Sequence, residues 1–364
     1  MDRFYECFGE IEDPRAENAQ HDLVEILFIA LLASLCGATS CADMAEFGVS
    51  KERLLRSVLS LRHGIPSHDT FSRVFRLLDP AGFEAAFRRF MAAFAQGARI
   101  KKPRGVVALD GKLLRRSYER GRSAMPCVMV TAWGAATRMS LASTAATDGN
   151  ETEAALRLVA LLQLKGCIVT GDALHCNRAM AEAITARGGN YVLALKSNQR
   201  PMRRAAEALL AAAKPTTKSV SRAERAHGRN ETRTAIVVPA PEMALDHGFP
   251  GIVAVARVES RRDTEAPVSR LFALSKRFSA DRLLDIVRDH WGIENRLHWT
   301  LDVTFEEDLA RNRKDNGPAN LAVLRRLALN IANAHPDTKT SLRRKLLRAG
   351  WDENFLFDLI RHMR

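Results

Sequence analysis

The sequence predicts a mixed α/β protein: a mixed sheet flanked by helices, carrying a β-rich insertion and preceded by an all-helical N-terminal domain. Three observations predict it. Residues 1–95 read as consecutive helices with no strand-like alternation. From residue 105 onward, short β-branched, uncharged runs alternate with helical patterns, as in sheets packed against helices. Between about 197 and 276 that rhythm breaks into further β-rich runs before a long helical pattern resumes.

Each element follows in order. The run 21–36 is apolar throughout and is stopped by Gly37, and shorter helical patterns cover 42–47 and 51–61. A turn at Gly64-Ile65-Pro66-Ser67 supplies N-cap chemistry for a helix that turns Phe71, Val74, Phe75, Leu77 and Leu78 inward and Arg73 and Arg76 outward. A further helix covers 83–94. Short helices with a Gly/Pro turn before a basic helix fit a helix-turn-helix unit, and they fit an ordinary helical bundle equally well. A basic linker at 96–105 carries Arg99, Lys101, Lys102 and Arg104.

Strands are predicted at 105–110, 126–134, 139–145, 167–172 and 190–196, and helices at 151–163 and 176–188. The first three strands are close enough for an antiparallel meander, whereas the last two need parallel crossovers. In the insertion, 235–238, 253–258 and 271–274 read as strands, and the stretch from 196 to 233 holds ten Lys/Arg against three acidic residues. A long helix is predicted from 280 to about 300, with helical tails at 318–334, 340–348 and 352–362. The chain therefore divides into an all-helical region, 1–95, and a mixed α/β unit, 96–364, that carries the β-rich insertion at about 197–276.

Composition narrows the class. The formal charge of +13, with 55 Lys+Arg against 42 Asp+Glu, suits either a polyanion partner or a merely soluble basic surface. The longest apolar run, 26–36, is far short of the roughly 20 residues that span a bilayer. No membrane association and a cytoplasmic location are expected. The six cysteines (7, 36, 41, 127, 167, 176) form no C-x-x-C pair and read as reduced core thiols.

The chemistry rests on three carboxylates. Asp110 ends the uncharged run Gly105-Val106-Val107-Ala108-Leu109, with Gly111 expected to break the strand behind it. Asp172 ends Gly166-Cys167-Ile168-Val169-Thr170-Gly171 in the same manner. A carboxylate at the end of a buried strand is expensive unless it is paired or binds a metal. Each is followed by a small residue that leaves room for an ion and a phosphate, although either alone also fits a turn cap. Glu294 lies on the predicted long helix, where Val287, Trp291 and Leu301 share its side at about 100° per residue and His290 and His298 flank it. Carboxylates converging from separate rigid elements suit divalent-metal chemistry on phosphodiesters.

Asp110 in ALDGK, Asp172 in GDALH and Glu294 in HWGIENRLHWTLDVTFEED resemble the DDE triad of insertion-sequence transposases, closest to the H-repeat-associated, ISAs-type group. Gly64-Ile65-Pro66-Ser67-His68-Asp69-Thr70-Phe71, the run 191–199, His227-Gly228-Arg229 and the run 320–330 are similar to blocks of the same family, so the resemblance covers nearly the whole chain. It implies an RNase H-like core, catalytic and metal-binding roles for Asp110, Asp172 and Glu294, and Mg²⁺ as cofactor with Mn²⁺ as a substitute. It implies double-stranded DNA as partner, both inverted-repeat ends and target, a homodimer or higher oligomer on that DNA, and a nucleoid-associated location. The implied route is hydrolytic release of a 3′-OH, then attack on target DNA. The chain departs from the Y-x2-R-x3-E-x6-K pattern of the wider class, with Val287, His290 and Leu301 at the Tyr, Arg and Lys positions.

Other residues are expected around the DNA. Arg73 and Arg76 are placed for end recognition, and His290, Trp291, Arg296 and His298 surround the glutamate. Trp291 and Trp299 suit base stacking or a helix core. Lys112 suits a phosphate contact or a solvated position, and His175 suits orientation of the second aspartate or a helix-start surface. Lys196, Asn198 and Gln199 suit backbone contacts or a turn. Asp302, Glu306, Glu307 and Asp308 follow Glu294 closely, and Asp302 lies about 80° around a continuous helix from it. Two rival readings remain at this level: a nuclease of the same fold that cuts without joining, and a non-catalytic DNA-binding descendant.

Overall fold

The computed structural model describes residues 2–97, 105–118, 125–213, 219–226, 229–263 and 265–361. The basic linker residues Arg99, Lys101, Lys102 and Arg104 and the His227-Gly228 pair lie outside these. Six helices come first: α1 (Asp2–Phe8), α2 (Leu23–Leu35), α3 (Cys41–Ser50), α4 (Glu52–Leu55), α5 (His68–Leu77) and α6 (Pro80–Gly97). There follow β1 (Gly105–Leu113), β2 (Val128–Gly134), β3 (Met139–Ala145), α7 (Glu151–Leu161), β4 (Cys167–Gly171), α8 (Arg178–Ala186) and β5 (Asn190–Leu195). The insertion holds α9 (Arg200–Ala211), β6 (Ser219–Ala226), β7 (Arg229–Pro239), α10 (Met243–Asp246), β8 (Ala254–Arg262) and β9 (Val268–Leu274). The chain closes with α11 (Ala280–Gly292), a π-helical turn (Ile293–His298), α12 (Trp299–Val303), α13 (Gly317–Ala334), α14 (Leu342–Trp351) and α15 (Glu353–Ile360).

All nine strands join one sheet in the order β3-β2-β1-β4-β5-β9-β8-β7-β6. β1–β3 form the antiparallel meander, β4 and β5 run parallel to β1, and β9 pairs antiparallel with β5. This is a mixed, RNase H-like sheet whose far half is the insertion. The predicted β-rich insertion is thus no separate layer: its four strands continue the central sheet. β6 escapes sequence reading because SVSRAERA is polar on both faces, and α9 because its apolar residues Met202, Ala206 and Leu210 are few.

Helices α7, α8 and α9 cover one face of the sheet, and α6, α11 and α13 cover the other. The second layer is shared with the N-terminal helices. α13 is buried along almost its whole length and packs against α2, α5, α6 and β3. Its Asn320 amide donates to the carbonyls of Phe75 (2.9 Å) and Leu78 (2.8 Å), closing the end of α5. Ten residues on, Asn330 exchanges two hydrogen bonds with the Ser140 backbone (2.8 and 2.9 Å), which satisfies the outer edge of β3. Because α2 is surrounded by α13, α3 and α1, it carries apolar residues all round rather than a stripe.

Three local predictions need correction. β1 does not end at Asp110 but runs through Gly111 to Leu113, because β2 continues to pair with it through Leu113↔Val128. The helix predicted over 51–61 is a single turn, Glu52–Leu55, and Leu61 takes a left-handed backbone (φ 43°) that no helix accommodates. The long helix from 280 to about 300 is interrupted by the π turn at Ile293–His298. Among the described residues no helix is long and apolar enough to cross a membrane, and no disulfide joins any of the six cysteines.

Candidate active site

The parallel pair β1–β4 stays in register up to Leu109↔Gly171, where β4 stops. Asp110 is the next residue on β1 and Asp172 the next after β4, so the sheet's register sets the two side by side. Asp110 Oδ1 accepts the Gly111 N–H at 3.0 Å. Asp172 Oδ1 accepts the N–H groups of Leu174 (3.0 Å) and His175 (3.4 Å), which fixes the turn that follows β4. The helix bearing Glu294 lies across this end of the sheet. It approaches closely because Gly292 has no side chain: a Cβ there would lie 2.6 Å from the Trp133 ring. The π turn begins at the next residue. Such turns are rare insertions that redirect the side chains after them.

Asp110, Asp172 and Glu294 line one cleft of about 220 Å³, with Thr170, Lys196, Arg270, Phe272, Val287, His290 and Trp291 also on its walls. Burial pushes the Asp110 carboxyl up to about 7, and Glu294 and Asp172 reinforce the shift. Glu294 is raised by burial and by Asp172, while Arg270 and Lys196 pull it down. As a whole residue Glu294 is exposed, not set in an apolar face as periodicity suggests. The phase shift of the π turn is the reason: Ile293 and Leu297 take the buried positions, and Glu294 faces the cleft mouth.

The other predicted residues divide. Lys196, His290 and Trp291 line the cleft. His290 Nδ1 lies 3.0 Å from Thr170 Oγ1, and burial lowers its pKa to about 4, so it is neutral at pH 7 and offers no charge to a phosphate. Arg296 is exposed at the outer side, where burial and neighbouring Arg138 lower its pKa. Trp299 is exposed on α12. Arg73 is exposed on α5, whereas Arg76 is tied to Asp315 at 2.7 Å.

Lys112 does not reach the cleft. It is 6% exposed and holds Asp302 (2.7 Å) and Asp308 (2.8 Å), with Glu307 at 3.9 Å. Asp302 is therefore occupied by Lys112. The pair belongs to a buried charge cluster that ends in Arg326–Glu307 at 2.9 Å. His298 is also internal: its Nδ1 stands 3.7 Å from Asp110 Oδ2, and burial with Arg326 and Lys112 nearby drives its pKa down to about 3. His175 is buried to 1% with burial lowering its pKa, so the surface reading fails for it. Asn198 and Gln199 donate to the carbonyls of Ala173 (2.5 Å) and Cys176 (3.1 Å), which makes them clamps on the turn after β4.

Arg270 is the cleft residue that sequence reading misses. It projects from β9, its guanidinium 5.0 Å above the Trp291 ring. The only signal is an arginine directly before the apolar run Leu271–Leu274.

The fold and cleft define an α/β protein with carboxylates gathered at the ends of central strands. Comparison with known sequences gives the family. Residues 101–331 match the family described as "Transposase DDE domain", and residues 5–91 match "DDE_Tnp_1-associated". The chain belongs to the DDE transposase family. It is similar to "Putative protein YbfL" of Escherichia coli, 32% identical over 99% of this chain and 98% of that one. It is also similar to "H repeat-associated putative transposase YhhI" of the same organism, 31% identical over 94% of this chain and 93% of that one. Among solved structures, a "piggyBac transposase synaptic complex with hairpin DNA" resembles it at a TM-score of 0.49 and 14% identity, covering 100% of this chain and 80% of that one.

Proposed function

We propose that this transposase cuts DNA at the ends of its element and joins the released 3′-OH to target DNA, with Asp110, Asp172 and Glu294 holding divalent cations. The observation that carries the reading is the convergence of three carboxylates from β1, the end of β4 and the π turn on one cleft. The donor set is all oxygen, which suits Mg²⁺ or Mn²⁺. Among the described residues no three His, Cys, Asp or Glu side chains are close enough to hold an ion as they stand. The exposed Glu294 is the one with rotamer freedom to complete the set.

Bound divalent ions would activate the attacking oxygen and offset charge on the phosphate. The chain's own groups do the rest. Asp110 and Asp172, fixed by strand register and backbone N–H groups, set the position of the scissile phosphate. Lys196 and Arg270 attract the strand into the cleft, and Trp291 forms its apolar wall. Arg73, with the surrounding helical segment 1–95, supplies end recognition, and Arg296 extends the basic margin. The active species is a dimer or larger assembly on two ends, acting at the nucleoid.

The test is cleavage and joining of DNA carrying the element's inverted repeats. Asp110→Asn and Asp172→Asn should each abolish cleavage while DNA affinity persists. Full cleavage in EDTA, or cleavage by either variant, would refute the metal site. Cut ends that never appear in joined products would favour a nuclease instead.

A further inference from the structure

β1 continues past the point where its parallel neighbour stops, so beyond Leu109↔Gly171 its edge is open on that side. Side chains alternate along the strand: Asp110 faces the α11 layer and Gly111 faces the α7 layer. A Cβ at Gly111 would fall on the carboxylate of Glu151 and would meet Val128 Cγ1 at 3.3 Å. Glu151 is the first residue of α7. Its carboxylate therefore fills the space that a side chain at 111 would take, against the backbone that carries Asp110. It is near enough to Asp172 for the two to interact electrostatically. Among the described residues no hydrogen bond or ion pair holds it, and the charged group that acts on it is Asp172. A half-buried carboxylate beside two others, with no partner, is costly unless a cation joins them.

We propose that Glu151 is a fourth carboxylate of the acidic cleft, reaching the divalent cation from the α7 side of the sheet while Glu294 reaches it from the α11 side. The proposal rests on the metal reading above. It also accounts for glycine at position 111, since any larger residue would displace the Glu151 carboxylate.

The test uses the full chain and Mn²⁺ alone, with binding followed by electron paramagnetic resonance and calorimetry. Circular dichroism without metal checks that each variant is folded. Asp110→Asn and Glu151→Gln should each weaken Mn²⁺ binding by about tenfold or more. Gly111→Ala keeps every carboxylate but pushes Glu151 aside, so it should weaken binding too. In the Glu151→Gln background it should add nothing further. If Asp110→Asn loses Mn²⁺ affinity while Glu151→Gln and Gly111→Ala both keep the wild-type value, Glu151 is not a ligand and the three-carboxylate site stands. If Asp110→Asn also binds as tightly as wild type, the metal reading fails and takes the fourth carboxylate with it.

Discussion

Burial, reinforced by the nearby Glu294 and Asp172 carboxylates, pushes the Asp110 carboxyl up to about 7 from 3.8 for an ordinary aspartate, against the pull of the Gly111 N–H it accepts. Between these values the folded chain keeps a proton that the unfolded chain releases. Stability without metal therefore falls as pH rises from about 4 to 7, and the full penalty is present above 7. Asp110→Asn should stabilise the metal-free protein at pH 8 by on the order of 2 kcal/mol and leave it nearly unchanged at pH 4. Paired thermal melts at the two pH values check this, and an equal melting temperature at pH 8 would contradict it. Lys112, two residues on, has the opposite role. Lys112→Met would leave Asp302 and Asp308 without their shared cation and should cost about 3 kcal/mol in urea unfolding, with DNA affinity unchanged. A loss under about 1 kcal/mol would mean that Arg115 and Arg326 hold the cluster alone. Sequence reading finds Asp110 and Asp172 because each follows a β-branched run. It cannot place Lys112, whose three acidic neighbours lie some 190 residues away along the chain.

At the scale of elements, the insertion does more than lengthen the sheet. Arg222 on β6 reaches Asp281 (2.8 Å) and Asp285 (2.5 Å) on α11, the helix that leads into Glu294. The outer hairpin thus braces the helix that leads into the π turn bearing Glu294. Arg222→Ala should raise amide exchange in β6 and in the first turns of α11 while global unfolding stays in place. Unchanged exchange in α11 would show that the brace is dispensable. The π turn is the element that periodicity misjudges. A regular 100° step puts Glu294 among Val287, Trp291 and Leu301, whereas the added residue per turn sends Leu297 and Leu301 inward and Glu294 to the cleft mouth. No local signal marks that turn. Its surroundings do, through Gly292 against Trp133.

Across the whole molecule, the N-terminal helices and the sheet are joined through α13, whose Asn320 lies 242 residues downstream of the Leu78 carbonyl it closes. Phe71, Phe75, Phe83 and Phe90 are buried in a core continuous with Leu321, Leu324 and Leu327. A fragment ending at residue 97 would expose that surface. It should aggregate or lack a cooperative melt, whereas the full chain should melt cooperatively. A monomeric fragment with its own sharp transition would refute this, and would make the helical segment a self-sufficient unit.

What the sequence by itself determines here is local. Strand and helix periods, the two aspartates after buried runs, the basic balance and the transposase resemblance all depend on residues near one another in the chain. They predict a mixed sheet flanked by helices and a triad that includes Glu294. Tertiary structure alone decides the rest. The insertion joins the main sheet because β9 finds the open edge of β5. Lys112 and His298 turn inward because carboxylates and buried groups from distant segments surround them. Arg270 reaches the cleft from a strand whose own pattern gives no reason to point there. Charges and close contacts act through space, and separation along the chain carries no record of which ones will meet.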